Sequence, residues 1–233
     1  MQTGTNEFSA TWEMIAHGTP STKMIMGVLA IFSVVSWTLI VWKMLQFRRL
    51  HAEADQFLDR IESAGRLEEA YEWVRGLKES PFTRVFKRGV GFFSELRPGA
   101  MKAGSDVRGL SPAQLEVLRI VLEKEEGEER DALSGGIAWL AIIATVSPLL
   151  GLLGTVLGVM HSFMGVMESG SSSIAAVAPG VAEALVTTGG GLVVAIPAAM
   201  AFTYLTGRLN RFMGELEGIS SELIGTLARE GRI

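Results

Sequence analysis

Cysteine is absent from the 233 residues, and this absence excludes several classes of function at once. The chain can form no disulfide, no thiolate metal site and no cysteine nucleophile. The absence of cysteine does not fix the cellular compartment. A basic tail or stripe is also missing, and the formal net charge is −4. Nucleic-acid binding therefore has no electrostatic footprint in this sequence.

Catalytic and metal-binding patterns are missing as well. His17, His51 and His161 fall in three different segments, and no Ser/His/Asp arrangement or metal-ligand spacing accompanies them. The glycine-rich stretch 151–158 lacks the Gly-Lys-Ser/Thr ending of a P-loop and lies in an apolar segment. We therefore expect neither an enzyme activity nor a cofactor.

Charge is scarce in three long segments, each long enough to cross a bilayer, which takes roughly 20 residues. The first, residues 24–42, has 19 residues without a charge. The second, residues 137–167, has one ionisable residue, His161, and the third covers residues 179–206. These segments predict three transmembrane helices.

The basic residues around the spans predict their orientation. Lys43, Arg48 and Arg49 follow the first span, and Arg208 and Arg211 follow the third. The positive-inside rule places these ends in the cytoplasm. Residues 1–23 are then an outer, interfacial segment without a signal peptide's basic start, and residues 168–178 form a short outer loop. We predict an all-α membrane protein with its N-terminus outside and its C-terminus inside.

Residues 43–136 have a mixed-charge composition that predicts a cytoplasmic helical domain. Apolar spacing continues the first span as an amphipathic helix to Gly65. A second helix begins at Leu67, and the N-cap signals Ser80-Pro81 and Ser111-Pro112 open two more. The acidic stretch 123–131 fits either a cation-attracting mouth or a solvated helix face. Residues 207–233 predict a short C-terminal amphipathic helix.

The second span carries a face of small and weakly polar residues. Gly151, Thr155, Gly158 and Ser162 follow at i, i+4, i+7 and i+11, which places them on one side of a helix. Gly154 and Gly158 also form a small-xxx-small pair, the kind of surface through which helices associate in lipid. The face fits a polar pore wall and plain helix packing equally well.

The third span holds Glu183, the one carboxylate within the three spans. A charged carboxylate at mid-bilayer costs at least about 2.5 kcal/mol. However, Glu183 lies one turn after Pro179, where a negative charge stabilises the start of its own helix. Proton transfer and helix stabilisation both remain open roles for this residue.

Two threonines and a glycine run follow Glu183. Thr187 shares its face at i+4 and Gly190 continues that face, whereas Thr188 lies on a neighbouring face with Gly191. Threonine hydroxyls can order water or hold a protonated carboxyl without a fixed charge. The glycines allow close backbone approach or bending, and Pro197 predicts a kink.

Two long motifs in these spans resemble the MotA/TolQ/ExbB proton-channel family. The first is residues 148–163 (PLLGLLGTVLGVMHSF), and the second is residues 177–185 (VAPGVAEAL) followed by 191–198 (GLVVAIPA). Three spans with an outer N-terminus resemble the TolQ/ExbB branch. Residues 33–37, the basic stretch after them and Met160-His161 look more like TolQ than ExbB.

The resemblance implies a pentamer in the bacterial inner membrane around a dimer of a single-span TolR/ExbD-like partner, whose transmembrane Asp takes the proton. A TolA/TonB-like force transducer follows from the same resemblance. Thr155 and Thr188 match the family's pore threonines, and Glu183 matches its span-three glutamate. Thr187, Gly189 and Gly190 depart from the usual Ala, Ala and Ile, so the pore-facing register stays open between Thr187 and Thr188.

The resemblance predicts a stator subunit of a motor that is driven by the proton-motive force and transmits force to the cell envelope, as in the Tol-Pal system. Three alternatives stay open: a gliding-motility motor of the same family, an ExbB-like energiser of TonB-dependent import, and a non-conducting membrane scaffold.

Overall fold

The computed structural model describes residues 18–64, 66–98, 109–169 and 174–233, and these residues form helices without any strand. The six helices are α1 (Pro20–Ser63), α2 (Leu67–Arg75), α3 (Pro81–Leu96), α4 (Pro112–Ser134), α5 (Ile137–Ser169) and α6 (Ile174–Arg229). The all-α prediction is thereby confirmed for the described ranges. Residues 1–17 of the predicted interfacial segment lie outside them.

The predicted N-cap signals of α3 and α4 are confirmed in atomic detail. At α3, the Ser80 hydroxyl accepts from the Thr83 N–H, while the Thr83 hydroxyl accepts from the Ser80 N–H at 2.8 Å. At α4, Ser111 and Gln114 form the same reciprocal pair, with 3.0 Å from the Ser111 N–H to Gln114 Oε1. Both are capping boxes, which satisfy N–H groups that a helix start leaves unpaired.

The chain divides into two compact units, and the first comprises residues up to Lys43 together with 136–204. Within the described residues, three helices are long and apolar enough to cross a membrane, and these segments lie at Pro20–Ile61, Ile137–Glu168 and Val177–Arg229. The unit's interior is apolar and is built by all three helices, with Ile25, Leu29, Ile143, Val194 and Ala198 at its centre.

The second unit comprises residues 44–135 and 205–233. Its core contains a cluster of aromatic rings, in which Phe57 packs on Phe82 and Phe86, and Phe82 packs on Phe212. Rings of this kind bury large apolar areas and supply much of a small unit's stability. This unit therefore has a hydrophobic core of its own.

The acidic stretch of α4 is not simply a solvated face. Glu126 and Glu129 keep only 7% and 6% of their surface exposed. Arg84 donates to both carboxylate oxygens of Glu129, with 2.7 Å from Nη2 to Oε2. The Ser220 hydroxyl donates to Glu126 Oε1. These two acids are thus structural members of the second unit.

Four helix boundaries differ from the sequence-based ones. α1 begins at Pro20, before the predicted span, and α5 and α6 extend into the range 168–178 that was assigned to a loop. α6 also continues to Arg229, so residues 207–229 of the predicted C-terminal helix belong to the same helix as the third span. Leucines and isoleucines at helical spacing in 205–227 keep one buried face, so the helix does not have to end at the basic residues.

Candidate functional site

Glycines bring α5 and α6 into close contact along one face of each helix. An added Cβ at Gly158 would lie 2.8 Å from the Ala184 Cβ, and one at Gly191 would lie 2.5 Å from the Ser147 carbonyl oxygen. Neither distance can hold a methyl group, so only glycine fits at these crossings. Close approach of this kind lets helices gain packing energy and polar contacts in lipid.

A hydrogen bond joins the two helices at the centre of this face. The Thr188 hydroxyl donates to the backbone carbonyl of Gly151, with a distance of 3.0 Å. An added Cβ at Gly151 would lie 3.0 Å from the Thr188 Cα, which shows how near the two backbones run. In a regular α-helix the Gly151 carbonyl also accepts the N–H of Thr155. The Thr188 hydroxyl and the Thr155 N–H therefore share the Gly151 carbonyl, so the two threonines lie at the same height along the helix pair.

Thr155 and Thr188 both keep part of their surface exposed. The Thr155 hydroxyl donates to the Leu152 carbonyl in its own helix at 2.6 Å. Each hydroxyl thus donates its proton to a backbone carbonyl, and each hydroxyl oxygen keeps lone pairs that can accept a hydrogen bond. At this level the helix pair presents neutral hydrogen-bond acceptors.

Thr187 is placed differently from Thr188. It has no exposed surface, and its hydroxyl donates to the Ala184 carbonyl at 2.7 Å. An added Cβ at Gly154 would lie 2.6 Å from the Thr187 Cβ, so the threonine fills the notch that this glycine leaves. Thr187 and Gly154 are a packing pair between α5 and α6.

Ser162 closes the same face further along the helices. It is buried, and its hydroxyl lies 3.0 Å from the Gly158 carbonyl and 3.3 Å from the Val177 carbonyl. The hydroxyl thus bridges α5 and α6 where Gly180 leaves room for it. The small face of the second span is, along most of its length, the contact surface with the third span.

Gly190 lies outside the α5–α6 crossing, on the side of α6 that contacts α1. An added Cβ at Gly190 would lie 3.2 Å from the Met26 sulfur, so this glycine accommodates α1. Gly189 has no neighbour within 4 Å of an added Cβ and is exposed. Pro197 lies inside α6, and the helix continues through it. Gly190 therefore serves packing against α1, whereas Gly189 lies on the surface.

Glu183 contacts α1. Its Oε1 accepts from the backbone N–H of Thr19 at 2.7 Å and from the Thr19 hydroxyl at 3.1 Å. Thr19 directly precedes α1, so the carboxylate lies at the N-terminus of another helix. The sequence pointed to the start of Glu183's own helix, whereas the observed hydrogen bonds go to α1.

Two residues that the sequence analysis did not single out belong to this region. Thr19 binds Glu183, and its only sequence signal is its place before Pro20, which fits an N-cap position. Ser147 is fully buried, and its hydroxyl oxygen has no hydrogen-bond partner among the residues that the structure describes. Its position four residues before Gly151 is the signal that could have identified it.

Comparison with known proteins shows similarity to one family over most of the chain. Residues 79–218 match the model of the MotA/TolQ/ExbB proton channel family. The Tol-Pal system protein TolQ of Pseudomonas aeruginosa is 28% identical over 232 residues, which cover 99% of this chain and 97% of the relative. TolQ of Haemophilus influenzae is 30% identical over 89% of each chain. Biopolymer transport protein ExbB of Salmonella typhimurium is 29% identical over 95% of this chain and 87% of the relative.

Proposed function

Because this chain belongs to the MotA/TolQ/ExbB proton-channel family, we propose that it is the channel-forming stator subunit of an inner-membrane motor driven by the proton-motive force. The motor transmits force to the cell envelope in a Tol-Pal-like system. One observation carries the proposal: the Thr188 hydroxyl binds the Gly151 carbonyl at the height of Thr155 along the helix pair. There the apolar spans offer polar oxygen atoms that are only partly covered.

The two threonines act in this proposal as neutral acceptors along the proton pathway. Their hydroxyl protons go to the Gly151 and Leu152 carbonyls, so their oxygens can accept a hydrogen bond from a protonated carboxyl. A neutral acceptor holds the protonated form and releases it after deprotonation, because it offers the carboxylate no fixed positive charge. Thr187, which is buried against Gly154, serves helix packing instead.

The titrating group comes from a partner in this proposal. The three spans contain no Asp, and their single carboxylate, Glu183, is bound to the start of α1. A single-span TolR/ExbD-like partner with a transmembrane carboxylate supplies this titrating group. A pentamer of this chain around a dimer of that partner is the expected assembly. Each proton that moves down about 100 mV releases about 2.3 kcal/mol for work on the envelope.

Proton flux into vesicles that contain the chain and its partner tests the pathway. We expect Thr155→Val and Thr188→Val to lower the flux at least about tenfold, a change of about 1.4 kcal/mol in the barrier. Thr188→Ser keeps the hydroxyl and should retain most of the flux.

Thr145→Val and Thr203→Val are the matched controls. Both threonines are exposed, and each donates to the carbonyl four residues earlier in its own helix. Full flux in Thr155→Val and Thr188→Val, with normal assembly, would contradict the channel and favour the non-conducting scaffold.

Import is the second candidate output, because the similarity to ExbB of Salmonella typhimurium extends over 95% of this chain. Genetic complementation distinguishes a Tol-Pal function from TonB-dependent import. A Tol-Pal function predicts rescue of a strain that lacks TolQ when the chain is expressed with its own partner. Rescue only of a strain that lacks ExbB would move the proposal to TonB-dependent import. Native mass measurement of the detergent-extracted complex tests the pentamer.

A further inference from the structure

The start of α1 lacks part of the capping that the starts of α3 and α4 have. Thr19 is the residue before α1, Pro20 occupies the first helical position, and no acidic residue lies in the first turn. The Thr19 hydroxyl lies 3.4 Å from the N–H of Thr22, which is a long N-cap contact. A helix start carries a partial positive charge and unpaired N–H groups, so an acceptor is needed there.

In α3 and α4 that acceptor is the residue three positions after the N-cap. The Thr83 hydroxyl takes the N–H of Ser80, and the Gln114 side chain takes the N–H of Ser111. The equivalent residue of α1 is Thr22, whose hydroxyl lies 3.1 Å from the Thr19 hydroxyl instead of binding the Thr19 N–H. The N–H of Thr19 goes to Glu183, 164 residues away in the sequence.

We propose that Glu183 is a positioning residue that completes the capping box of α1 from α6, and that it is not the proton carrier. Its carboxylate occupies the place that a Glu or Gln at the third helical position takes in an ordinary capping box. Both donors, the Thr19 N–H and hydroxyl, need only an acceptor oxygen. A glutamine carbonyl can supply the same two bonds, whereas a proton carrier must titrate.

This contact fixes the register of α1 on α6. Two turns further along α1, Met26 lies against the notch at Gly190. Thr19 to Met26 and Glu183 to Gly190 are both steps of seven residues, so the two helices run parallel and keep step over about 10 Å. A shift of α1 would move Met26 out of the notch that lies next to Thr188 and Gly191. The part of the inference that concerns the channel rests on the proposed function.

Hydrogen exchange of the purified full chain in lipid nanodiscs tests the cap directly. Glu183→Leu should speed exchange of the amides at the start of α1 about fivefold, which is the size expected for the loss of one N-cap. Glu183→Gln should leave that exchange near the wild-type rate, and α2, α3 and α4 should be unaffected. Glu168→Leu is the matched control, because Glu168 is an exposed acid at the end of α5.

Thr19→Pro removes both the N–H and the hydroxyl, and with the hydroxyl its long contact to the Thr22 N–H, so it should speed exchange at least as much as Glu183→Leu. The double variant Thr19→Pro/Glu183→Leu should show no further increase, because both changes remove the same contact. Additive effects, or unchanged exchange at the start of α1 in Glu183→Leu, would overturn the cap.

Proton flux tests the other half of the inference. Glu183→Gln should keep the flux within about threefold of wild type, and Glu183→Leu should lower it about tenfold or more. If Gln is as inactive as Leu while exchange at α1 stays normal, Glu183 carries protons and the inference is wrong. A wild-type chain without any flux would contradict the proposed function, and the exchange result would still decide whether Glu183 caps α1.

Discussion

The hydroxyl of Thr188 donates to the backbone carbonyl of Gly151 at 3.0 Å, and this bond joins α5 and α6 where glycine lets the two backbones approach closely. Gly151 permits it, because a Cβ there would meet the Thr188 Cα at 3.0 Å. The same carbonyl serves the Thr155 N–H in the helical pattern. One glycine therefore sets the level at which both candidate pathway threonines stand.

Thr188→Val should cost little stability. Hydrogen bonds between membrane helices contribute on average about 0.6 kcal/mol, because the separated helices find other partners. We expect the free energy of unfolding in mixed micelles to fall by about that amount, as measured by denaturant titration. A loss above about 2 kcal/mol, with Thr203→Val unchanged, would show that Thr188 is mainly structural and would weaken its assignment to the proton pathway.

Gly154→Ala should destabilise the α5–α6 pair. The added methyl would lie 2.6 Å from the Thr187 Cβ, and the buried threonine has no room to move aside. Overpacking of this kind costs about 1–3 kcal/mol. The measurement is again the free energy of unfolding of the purified chain.

Gly189→Ala and Gly165→Ala are controls for Gly154→Ala, because neither added Cβ has a neighbour within 4 Å. Alanine favours a helix interior by up to about 1 kcal/mol over glycine, so these variants should be neutral or more stable. If Gly154→Ala is equally neutral, the helix pair separates more easily than its contacts indicate.

The local features of the fold were predictable from the sequence because their causes are local. The capping boxes at Ser80 and Ser111 need residues only three positions apart, and the uncharged spans need only their own composition. α2 also follows from spacing, with Leu67, Ala70 and Val74 buried as expected for one helix face.

Helix caps that are supplied by residues distant in the sequence were not predictable from local patterns. α2 has Arg66 at its N-cap without a capping side chain, and the Leu67 N–H is instead bound by Glu230 at 2.8 Å. Glu183 caps α1 in the same manner. Both acids belong to, or directly follow, α6. A sequence pattern cannot show such contacts, because the partners become neighbours only after the chain has folded.

Glu129→Gln should destabilise the second unit. Glu129 is buried, and Arg84 binds both of its oxygens, with 2.7 Å from Nη2 to Oε2. The amide cannot accept at both positions, so one donor of the guanidinium loses its partner. Arg84 is 43% exposed and can recover water, which reduces the cost to about 1–3 kcal/mol. Chemical unfolding of the full chain, followed by the signal of its aromatic residues, measures this loss.

The exposed pair Lys124–Glu128 is the control for the Arg84–Glu129 pair. It lies on the same α4 helix at i,i+4, its atoms are 3.5 Å apart, and its side chains are 77% and 62% exposed. Glu128→Gln should change the free energy of unfolding by no more than about 0.5 kcal/mol. Equal effects of Glu128→Gln and Glu129→Gln would mean that burial of Glu129 adds nothing to its pairing.

Glu126→Gln should raise stability at neutral pH and leave it unchanged in acid. Burial raises the pKa of Glu126 above its ordinary value, and the neighbouring charges of Glu217 and Glu123 act in the same direction, against the Ser220 hydrogen bond. The folded chain therefore binds a proton more tightly than the unfolded chain, and stability falls as pH rises from the unfolded pKa through the folded one.

The glutamine variant of residue 126 keeps an acceptor for the Ser220 hydroxyl and removes the charge, so it should abolish this fall. Unfolding titrations of wild type and Glu126→Gln at pH 4 and pH 8 measure the difference, with Glu128→Gln as the exposed control. The stability gap should open at pH 8 in favour of Glu126→Gln, because only the wild type must then hold a charge in the groove that Glu217 and Ser220 line. A gap of equal size at both pH values would show that Glu126 contributes through shape and hydrogen bonding alone.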